Sequence, residues 1–339
     1  ASIARKYYQL GREFANITCD NKEHLRFQFH DFSMRGMSSL ESAQTSGLGH
    51  LMYFDGTDTI PAITYVDEYY KGKVAKNFHP TSIPASEHSV MCALLAKQEA
   101  TGGGRDETES YRYLIKEVYP EGFVSVVSDT YDFWHNVEHV LPSLKGDIMS
   151  RNGRLVVRPD SGDPVQVICG IPESEGSTAE EKGLIQALWD TFGGTINDKG
   201  YKVLDPHIGA IYGDSITLER AEQIFAGLAA KGFASSNIVF GVGSFSYQGP
   251  TRDSLGFAIK ATSTIQDGQE YLLMKDPKTD SCKKSPRGRV KVIGDFCIDE
   301  LTANSNFEGD RLKTVFENGI ATTMSIDDIR SNACLDAVF

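Results

Sequence analysis

The 339-residue chain has an ordinary globular composition, with 40% hydrophobic and 24% charged residues. Its 34 basic and 46 acidic residues give a formal net charge of −12, which argues against general nucleic-acid binding but not against a small polyanion held by a local basic cluster. No run of about 18 apolar residues is present, so the sequence predicts no membrane-spanning helix. At this length we expect one large barrel-type domain or two domains.

The six cysteines are scattered and include no C-x-x-C pair, which disfavours a disulfide framework or a zinc site. They are Cys19, Cys92, Cys169, Cys282, Cys297 and Cys334. Free thiols are typical of a reducing compartment, so we expect a cytoplasmic protein.

The first residues predict an amphipathic helix. Ile3, Tyr7, Leu10 and Phe14 recur at helical spacing, and no apolar signal core precedes them. The chain also lacks an initiator Met, so we expect it to be processed or to be part of a longer chain.

Seven short β-rich runs follow, and each ends at polar residues or a glycine turn before the next helical pattern. The runs are LRFQFHDF (25–32), HLMYFDGTD (50–58), TSIPASEHS (81–89), FVSVVSDTYD (123–132), RLVVRPD (154–160), HIGAIYGDS (207–215) and NIVFGVGS (237–244).

Two of the intervening helices are clear in the sequence. The stretch STAEEKGLIQALWDTFGG (177–194) opens with a capping box from Thr178 to Glu181 and closes on two glycines. The stretch TLERAEQIFAGLAAKG (217–232) has an apolar face of Leu218, Ala221, Ile224, Phe225 and Leu228 and stops at Gly232.

Strands that alternate with helices are parallel, and about seven such units favour an irregular (β/α) barrel. An open doubly wound sheet is the alternative, because its functional groups also gather at the carboxyl ends of the strands. We expect the barrel to span residues 25–260. Residues 1–24 and 261–339, which include a basic hairpin-like stretch and then extended chain with a short helix, are expected to form a partial second α+β domain packed on the barrel.

Charged residues at the strand ends indicate a ligand site. In VVRPDSGDP (156–164), a buried-looking strand ends in one arginine and two aspartates, although a simple turn needs only Gly, Asn or Ser. Carboxylates bind sugar hydroxyls and divalent metals, arginines bind phosphate, and a glycine turn after a late barrel strand is a common phosphate site. Together they predict a phosphorylated sugar, with pyrophosphate as a leaving group.

Each motif alone also has a structural explanation. The RPDSGDP segment is compatible with a capped turn, Asp58 with a helix N-cap, and His88 with a hydrogen-bonded core histidine. The basic residues Lys283, Lys284, Arg287 and Arg289 are compatible with a solvated face. Their shared position at strand ends favours function.

As an ordered set, the motifs FHDFSMRG, GTDT, PASEHS, VVSDTYD, VVRPDSGDP, GDS and TRDSLGFAIK resemble the nicotinamide phosphoribosyltransferase family. The resemblance runs from about residue 1 to the end. It implies a type II phosphoribosyltransferase fold that condenses nicotinamide with phosphoribosyl pyrophosphate, giving nicotinamide mononucleotide and pyrophosphate. It further implies Mg²⁺ assistance, ATP as phosphoryl donor, and a homodimer with the active site near the interface.

By this resemblance, Phe32 stacks on the pyridine ring, Arg35 lies near the carboxamide and phosphate, and Asp58 accepts the carboxamide N–H. His88 is the family's ATP-phosphorylated histidine, counted with Asp129 and Asp160 among the catalytic residues. Residues around ribose and metal include Asp129, Arg158, Asp160, Gly213 and Asp214. The phosphate set is Gly243, Ser244, Arg252, Lys260 and Lys275.

The chain departs from the family pattern in two places. Ser244 and Phe245 stand where glycines are usual in the phosphate turn. The chain also starts well inside the family sequence, so the N-terminal portion that completes the second domain and donates an aromatic across the dimer is expected to be missing. The alternatives are therefore a nicotinate phosphoribosyltransferase, against which Asp58 argues, or a non-catalytic remnant of the fold.

Overall fold

A computed structural model describes residues 1–70, 78–172, 176–280 and 283–333. The helices are α1 (Ser2–Thr18), α2 (Leu40–Leu51), α3 (Pro61–Tyr70), α4 (His88–Ala100), α5 (Thr108–Tyr113), α6 (Phe133–His135), α7 (Leu141–Ser143), α8 (Lys145–Met149), α9 (Pro164–Cys169), α10 (Ala179–Lys182), α11 (Leu184–Phe192), α12 (Leu218–Ala230), α13 (Ser244–Gln248) and α14 (Ile326–Ala333). Shorter 3₁₀ or π turns lie at 23–26, 34–36, 114–118, 136–140, 235–237 and 253–255.

The strands are β1 (Phe29–Asp31), β2 (Glu121–Val127), β3 (Asn152–Arg158), β4 (Gly194–Ile196), β5 (Lys202–Leu204), β6 (Ile208–Tyr212), β7 (Ile238–Val242), β8 (Ser263–Gln266), β9 (Gln269–Leu272), β10 (Arg289–Ile293), β11 (Phe296–Leu301), β12 (Phe316–Glu317) and β13 (Ile320–Ala321).

Five parallel strands form the main sheet in the order β1-β7-β6-β3-β2. Two extended segments carry it round from β1 to β2. Thr57 bridges to β1, Thr81 bridges to Gly56, and Ala85 bridges to Ser125 of β2, all in parallel. These bridges complete a ring of seven segments, so the irregular (β/α) barrel is confirmed and the open sheet is excluded.

The barrel interior and the helices around it share one hydrophobic core. All five residues of β6 are buried, as expected for a parallel strand covered on both faces. Phe29, Phe225 and Phe240 pack together, with ring centroids 5.4 Å apart for Phe29–Phe240 and 5.1 Å for Phe225–Phe240. The predicted apolar face of α12 is confirmed, and Thr217 caps its first turn by accepting from the Arg220 N–H.

The predicted N-terminal helix is confirmed as α1. Tyr7 is 1% exposed in the main core, and its hydroxyl donates to Ser246 Oγ at 3.0 Å. Ile3, Leu10 and Phe14 are partly buried against the same core, as the helical spacing predicts.

The single helix predicted for residues 177–194 is wrong, because the chain forms α10 and α11 with a break at Gly183. The capping box at Thr178 and Glu181 is present, but Gly183 has φ +84°. A Cβ on Gly183 would lie 2.3 Å from the backbone nitrogen of Gly170, so only glycine allows this backbone approach.

The β-rich run predicted for residues 50–58 is shorter than expected. His50 and Leu51 end α2, and only the chain around 55–58 is extended. His50 is a buried helix residue and not a strand residue, and its Nδ1 lies 2.6 Å from the Tyr247 hydroxyl.

After residue 261 the chain forms antiparallel pairs β8–β9, β10–β11 and β12–β13, followed by α14. This agrees with the hairpin-like and extended patterns in the sequence, while the division into two domains stays a prediction. Within the described parts of the chain, no helix combines the length and apolar character needed to cross a membrane.

Candidate active site

The carboxyl ends of β1, β3, β6 and β7 open into a cleft of about 990 Å³. Phe32, Asp160, Asp214 and Gly243, which follow these four strands, all line it. The remaining walls are formed by the starts of α4 and α12, the chain between α13 and β8, and the chain between β9 and β10. Parallel strands therefore bring together residues that are far apart in sequence.

Phe32 lies across the barrel mouth because two glycines leave room for its ring. A Cβ on Gly241 would lie 2.1 Å from Phe32 Cδ2, and one on Gly213 would lie 2.5 Å from Cε2. The Phe32 backbone N–H also donates to Val242 O at 3.0 Å. These contacts fix an aromatic ring that can stack on a flat ligand.

Asp58 is a half-exposed carboxylate that is held in place on one oxygen. Oδ1 accepts from His30 Nε2 at 2.9 Å and from Ser82 Oγ at 2.6 Å. Burial alone would raise the pKa of Asp58, but the hydrogen bond and charge of His30, with Ser82 and Arg158, outweigh it and lower the pKa. The carboxylate therefore stays ionised.

Arg158 ends β3 close enough to Asp58 for its charge to act on that carboxylate. Its guanidinium Nε is buried and has no hydrogen-bond partner among the described residues. A buried donor without a partner is costly unless a ligand supplies an acceptor.

His88, Asp129 and Lys275 form a linked group at one wall. Asp129 is fully buried, with Oδ1 2.9 Å from His88 Nε2 and Oδ2 3.3 Å from Lys275 Nζ. Burial would raise the pKa of Asp129, but His88 and Lys275 together hold it well below its ordinary value. Because Asp129 is ionised, it can only accept in this hydrogen bond, so His88 donates through Nε2–H.

Lys283 connects two of the strand-end aspartates. Its Nζ donates to Asp214 Oδ2 at 2.8 Å and also to the backbone oxygen of Asp160. Burial would lower the pKa of Lys283, but Asp214, with Asp160 and Asp129, raises it. The expectation of a solvated face is therefore wrong for Lys283, because the chain after β9 folds over the cleft.

Six cationic side chains line this one cleft although the whole chain is acidic. They are Arg35, Arg220, Arg252, Lys260, Lys275 and Lys283. Burial lowers the pKa of Lys260, and the positive charges of Lys275 and Arg252 lower it further. Cations that repel one another in this way are stabilised by a bound polyanion.

The glycine turn after β7 is open to the cleft. A Cβ on Gly243 would meet nothing within 4 Å. Ser244, in contrast, is only 6% exposed and packs closely on Gly36, because a Cβ on Gly36 would lie 2.1 Å from Ser244 Oγ. Phe245 also lines the cleft and is 57% exposed. A ligand can therefore approach the backbone at Gly243.

A protein-family model, the Nicotinate phosphoribosyltransferase (NAPRTase) family, matches residues 27–320. The chain belongs to the nicotinate phosphoribosyltransferase family. The match covers the barrel and the hairpins that follow it.

Curated relatives in this family carry the name nicotinamide phosphoribosyltransferase. The chain is 46% identical over 342 residues to the protein of Acinetobacter baylyi, covering 97% of this chain and 65% of the relative. It is 43% identical to the Mycoplasma pneumoniae protein, covering 85% and 59% of the two chains, and 35% identical to the Xanthomonas campestris protein, covering 98% and 68%. The chain thus spans about two thirds of the length of these relatives.

Eleven of the fourteen predicted site residues line the cleft, and the other three are Asp58, Asp129 and Arg158. Asp129 bonds two lining residues, His88 and Lys275. Arg158 acts through its charge on Asp58, although the two residues end barrel segments that are not adjacent. The structure therefore gathers the predicted residues at one rim, while their individual roles stay predictions.

Sequence reasoning missed three residues that hold the predicted ones. His30 and Ser82 both bond Asp58, and Lys283 bonds Asp214. His30 carried a usable signal, because it lies in the strand that ends at Asp31. Ser82 and Lys283 carried none that separates them from ordinary surface residues.

In the described ranges, no group of three or more His, Cys, Asp or Glu side chains lies close enough to hold a metal ion. Asp160 and Asp214 are two of the carboxylates that line the cleft, and both follow strands of the barrel. This donor set fits a hard cation such as Mg²⁺ that is bound chiefly by a ligand's phosphate oxygens.

Proposed function

We propose that the protein condenses nicotinamide with phosphoribosyl pyrophosphate, giving nicotinamide mononucleotide and pyrophosphate. The observation that carries this proposal is the group of six cationic side chains in the same cleft as the Phe32 ring. The curated names of the relatives support the same reaction.

In this proposal, the pyridine ring stacks on Phe32 and its carboxamide N–H donates to Asp58. Because His30 and Ser82 both bond Oδ1, Oδ2 is left to accept from the carboxamide. Nicotinate would place a second carboxylate against Asp58, and this repulsion excludes the acid.

Transfer is a substitution at the ribose C1′ atom. The bond from C1′ to the pyrophosphate oxygen breaks with its electrons on pyrophosphate, and the pyridine nitrogen forms the new bond with its lone pair. No proton moves, so the protein acts by positioning and by electrostatic stabilisation. Asp160 and Asp214 offset positive charge on the ribose, while Arg252, Lys260 and Lys275, with the turn at Gly243, bind phosphate.

Mg²⁺ would be held through the substrate pyrophosphate, with Asp160 or Asp214 as a carboxylate ligand. When bound, it neutralises charge on the leaving group.

We further propose that ATP phosphorylates His88 at Nδ1. The bond between the γ-phosphorus and the bridging oxygen breaks, ADP leaves with that electron pair, and the Nδ1 lone pair forms the P–N bond. Asp129 accepts from Nε2 and so stabilises the imidazole tautomer whose Nδ1 is nucleophilic.

Labelled ATP should leave an acid-labile, base-stable phosphate on the protein, and His88→Ala should abolish it. His24→Ala, which changes a histidine on a different helical turn, is the control and should keep the label. Label that persists in His88→Ala would contradict the assignment.

We propose a cytoplasmic homodimer whose active site lies near the interface. The buried free thiols of Cys19, Cys92 and Cys169 support a reducing compartment.

Exposed apolar side chains in the C-terminal hairpins, including Phe296 at 76% and Phe316 at 65% exposure, support a partner surface there. Sedimentation at a single-chain mass would contradict the dimer.

The direct test of the proposed reaction is nicotinamide mononucleotide formation from the two substrates, with this chain alone and with any preceding segment restored. We expect product that requires both substrates. No product in either form would favour a non-catalytic remnant of the fold.

Asp58→Ser should weaken nicotinamide use and relax discrimination against nicotinate, because it removes both the amide acceptor and the repelling charge. We expect kcat/KM for nicotinamide to fall by roughly 10- to 100-fold, as for loss of one charged hydrogen bond. Asp55→Ser, which removes a carboxylate paired with Arg26, is the matched control. Unchanged selectivity would leave Asp58 without this role.

A further inference from the structure

Ser215 has a backbone conformation that is unfavourable for its residue type. Its φ is +57°, in the left-handed region, which glycine adopts freely and other residues adopt at a steric cost. The residue ends the turn Gly213–Ser215, which follows β6 at the cleft. An outlier at such a position indicates that neighbouring groups hold the turn in place.

Arg220 holds the peptide between Ser215 and Ile216. From the first turn of α12, its Nη1 donates to the Ser215 backbone oxygen at 2.6 Å. One residue further along the chain, Ile216 is 2% exposed and its backbone oxygen accepts from Ser246 Oγ at 2.7 Å. The chain beyond Ser215 is therefore fixed, and the Ser215 backbone is the part that can rotate.

The turn carries a side chain that the proposed reaction needs. Asp214 precedes Ser215 directly, lines the cleft and bonds Lys283 at 2.8 Å. If Ser215 relaxes to negative φ, the peptide between Asp214 and Ser215 rotates and the Asp214 carboxylate moves with it.

We propose that Arg220 is a positioning residue for transfer: it holds Ser215 left-handed and so keeps the Asp214 carboxylate directed at the ribose subsite. The inference rests on the proposed function. Arg220 itself also lines the cleft, so direct contact between its guanidinium and a phosphate is the competing explanation.

Glycine at position 215 separates the two explanations. Arg220→Gln should lower kcat/KM for phosphoribosyl pyrophosphate about tenfold, with little change in KM for nicotinamide. The tenfold loss corresponds to the smaller fraction of molecules in which Ser215, a non-glycine residue, stays left-handed once the hydrogen bond from Arg220 is gone. Adding Ser215→Gly should recover most of that loss, because glycine needs no hold. Asn318→Gly is the control, because Asn318 is also left-handed, at φ +51°, but does not line the cleft. Added to Arg220→Gln, it should recover none of the lost kcat/KM.

An Arg220→Gln/Ser215→Gly protein as slow as Arg220→Gln would overturn the proposal and assign Arg220 a direct substrate contact. Full activity in Arg220→Gln would overturn it as well.

Crystal structures of the wild-type protein and of Arg220→Gln test the inference without any activity assay. We expect φ of Ser215 to be positive in the first and negative in the second. A positive φ in both would refute the hold by Arg220, whereas absence of turnover in the wild type would refute only the proposed reaction.

Discussion

At the scale of single residues, the position of the Phe32 ring depends on two neighbouring glycines that have no side chain. Gly213 and Gly241 leave the space that the Phe32 ring occupies, so neither position tolerates a methyl group without movement of the ring. The aromatic surface proposed for the pyridine is thus set by two glycines on β7 and after β6.

Gly241→Ala should displace the Phe32 ring, because the new Cβ would lie 2.1 Å from Cδ2 and 2.2 Å from Cε2. We expect a loss of about 1–3 kcal/mol in unfolding free energy and a raised KM for nicotinamide. Gly146→Ala, where a Cβ meets nothing within 4 Å, is the control for both measurements.

Adding Phe32→Leu to Gly241→Ala should recover part of the lost stability but not nicotinamide binding, because the new Cβ would still lie 2.9 Å from Gly213 Cα. Unchanged KM in Gly241→Ala would show that ring position does not matter.

Most of the candidate site could be predicted at this scale, because charged residues at strand ends have few structural explanations. Lys283 could not. Its partner Asp214 is 69 residues away in sequence, and only the path of the chain over the barrel mouth brings the two together.

At the scale of elements, a buried acid lies where α5 begins. Glu107 is 1% exposed, and burial, with the nearby charge of Asp129, raises its pKa to about 8 against the lowering effect of Asn136. A raised pKa means that the folded state keeps the proton while the unfolded chain releases it. The contribution of Glu107 to stability is therefore greatest below about pH 4.5 and declines as the pH rises toward 8.

Glu107→Gln lacks this titration, so its stability relative to the wild type should increase between pH 4.5 and 8 by about 4 kcal/mol, measured by urea unfolding. Glu109→Gln, on the exposed side of the same helix, should show no comparable trend. A pH-independent difference for Glu107→Gln would contradict the burial argument.

Element types were predictable where apolar spacing is long and regular, as in α1 and α12. The break between α10 and α11 was not, because it depends on the approach of Gly183 to Gly170 from another part of the chain. The single-residue β-bridges at Thr57 and Thr81 were not predictable either, because they form only when the barrel closes around them.

At the scale of the molecule, the barrel explains how an acidic chain binds an anion. Parallel strands direct residues from distant segments to one rim, and six cationic side chains gather there although the net charge of the chain is −12. This convergence was predictable from repeated strand–helix units. The pairing of strands after residue 261 was not predictable by the same reasoning, since these hairpins show no comparable repeat.

The most direct test of this account is a crystal structure of the full-length protein with nicotinamide mononucleotide. We predict the pyridine ring on Phe32, its carboxamide at Asp58, and the phosphate beside Gly243 among Arg252 and Lys260. A nucleotide bound outside the cleft, or within it with the phosphate at Phe32, would contradict the account.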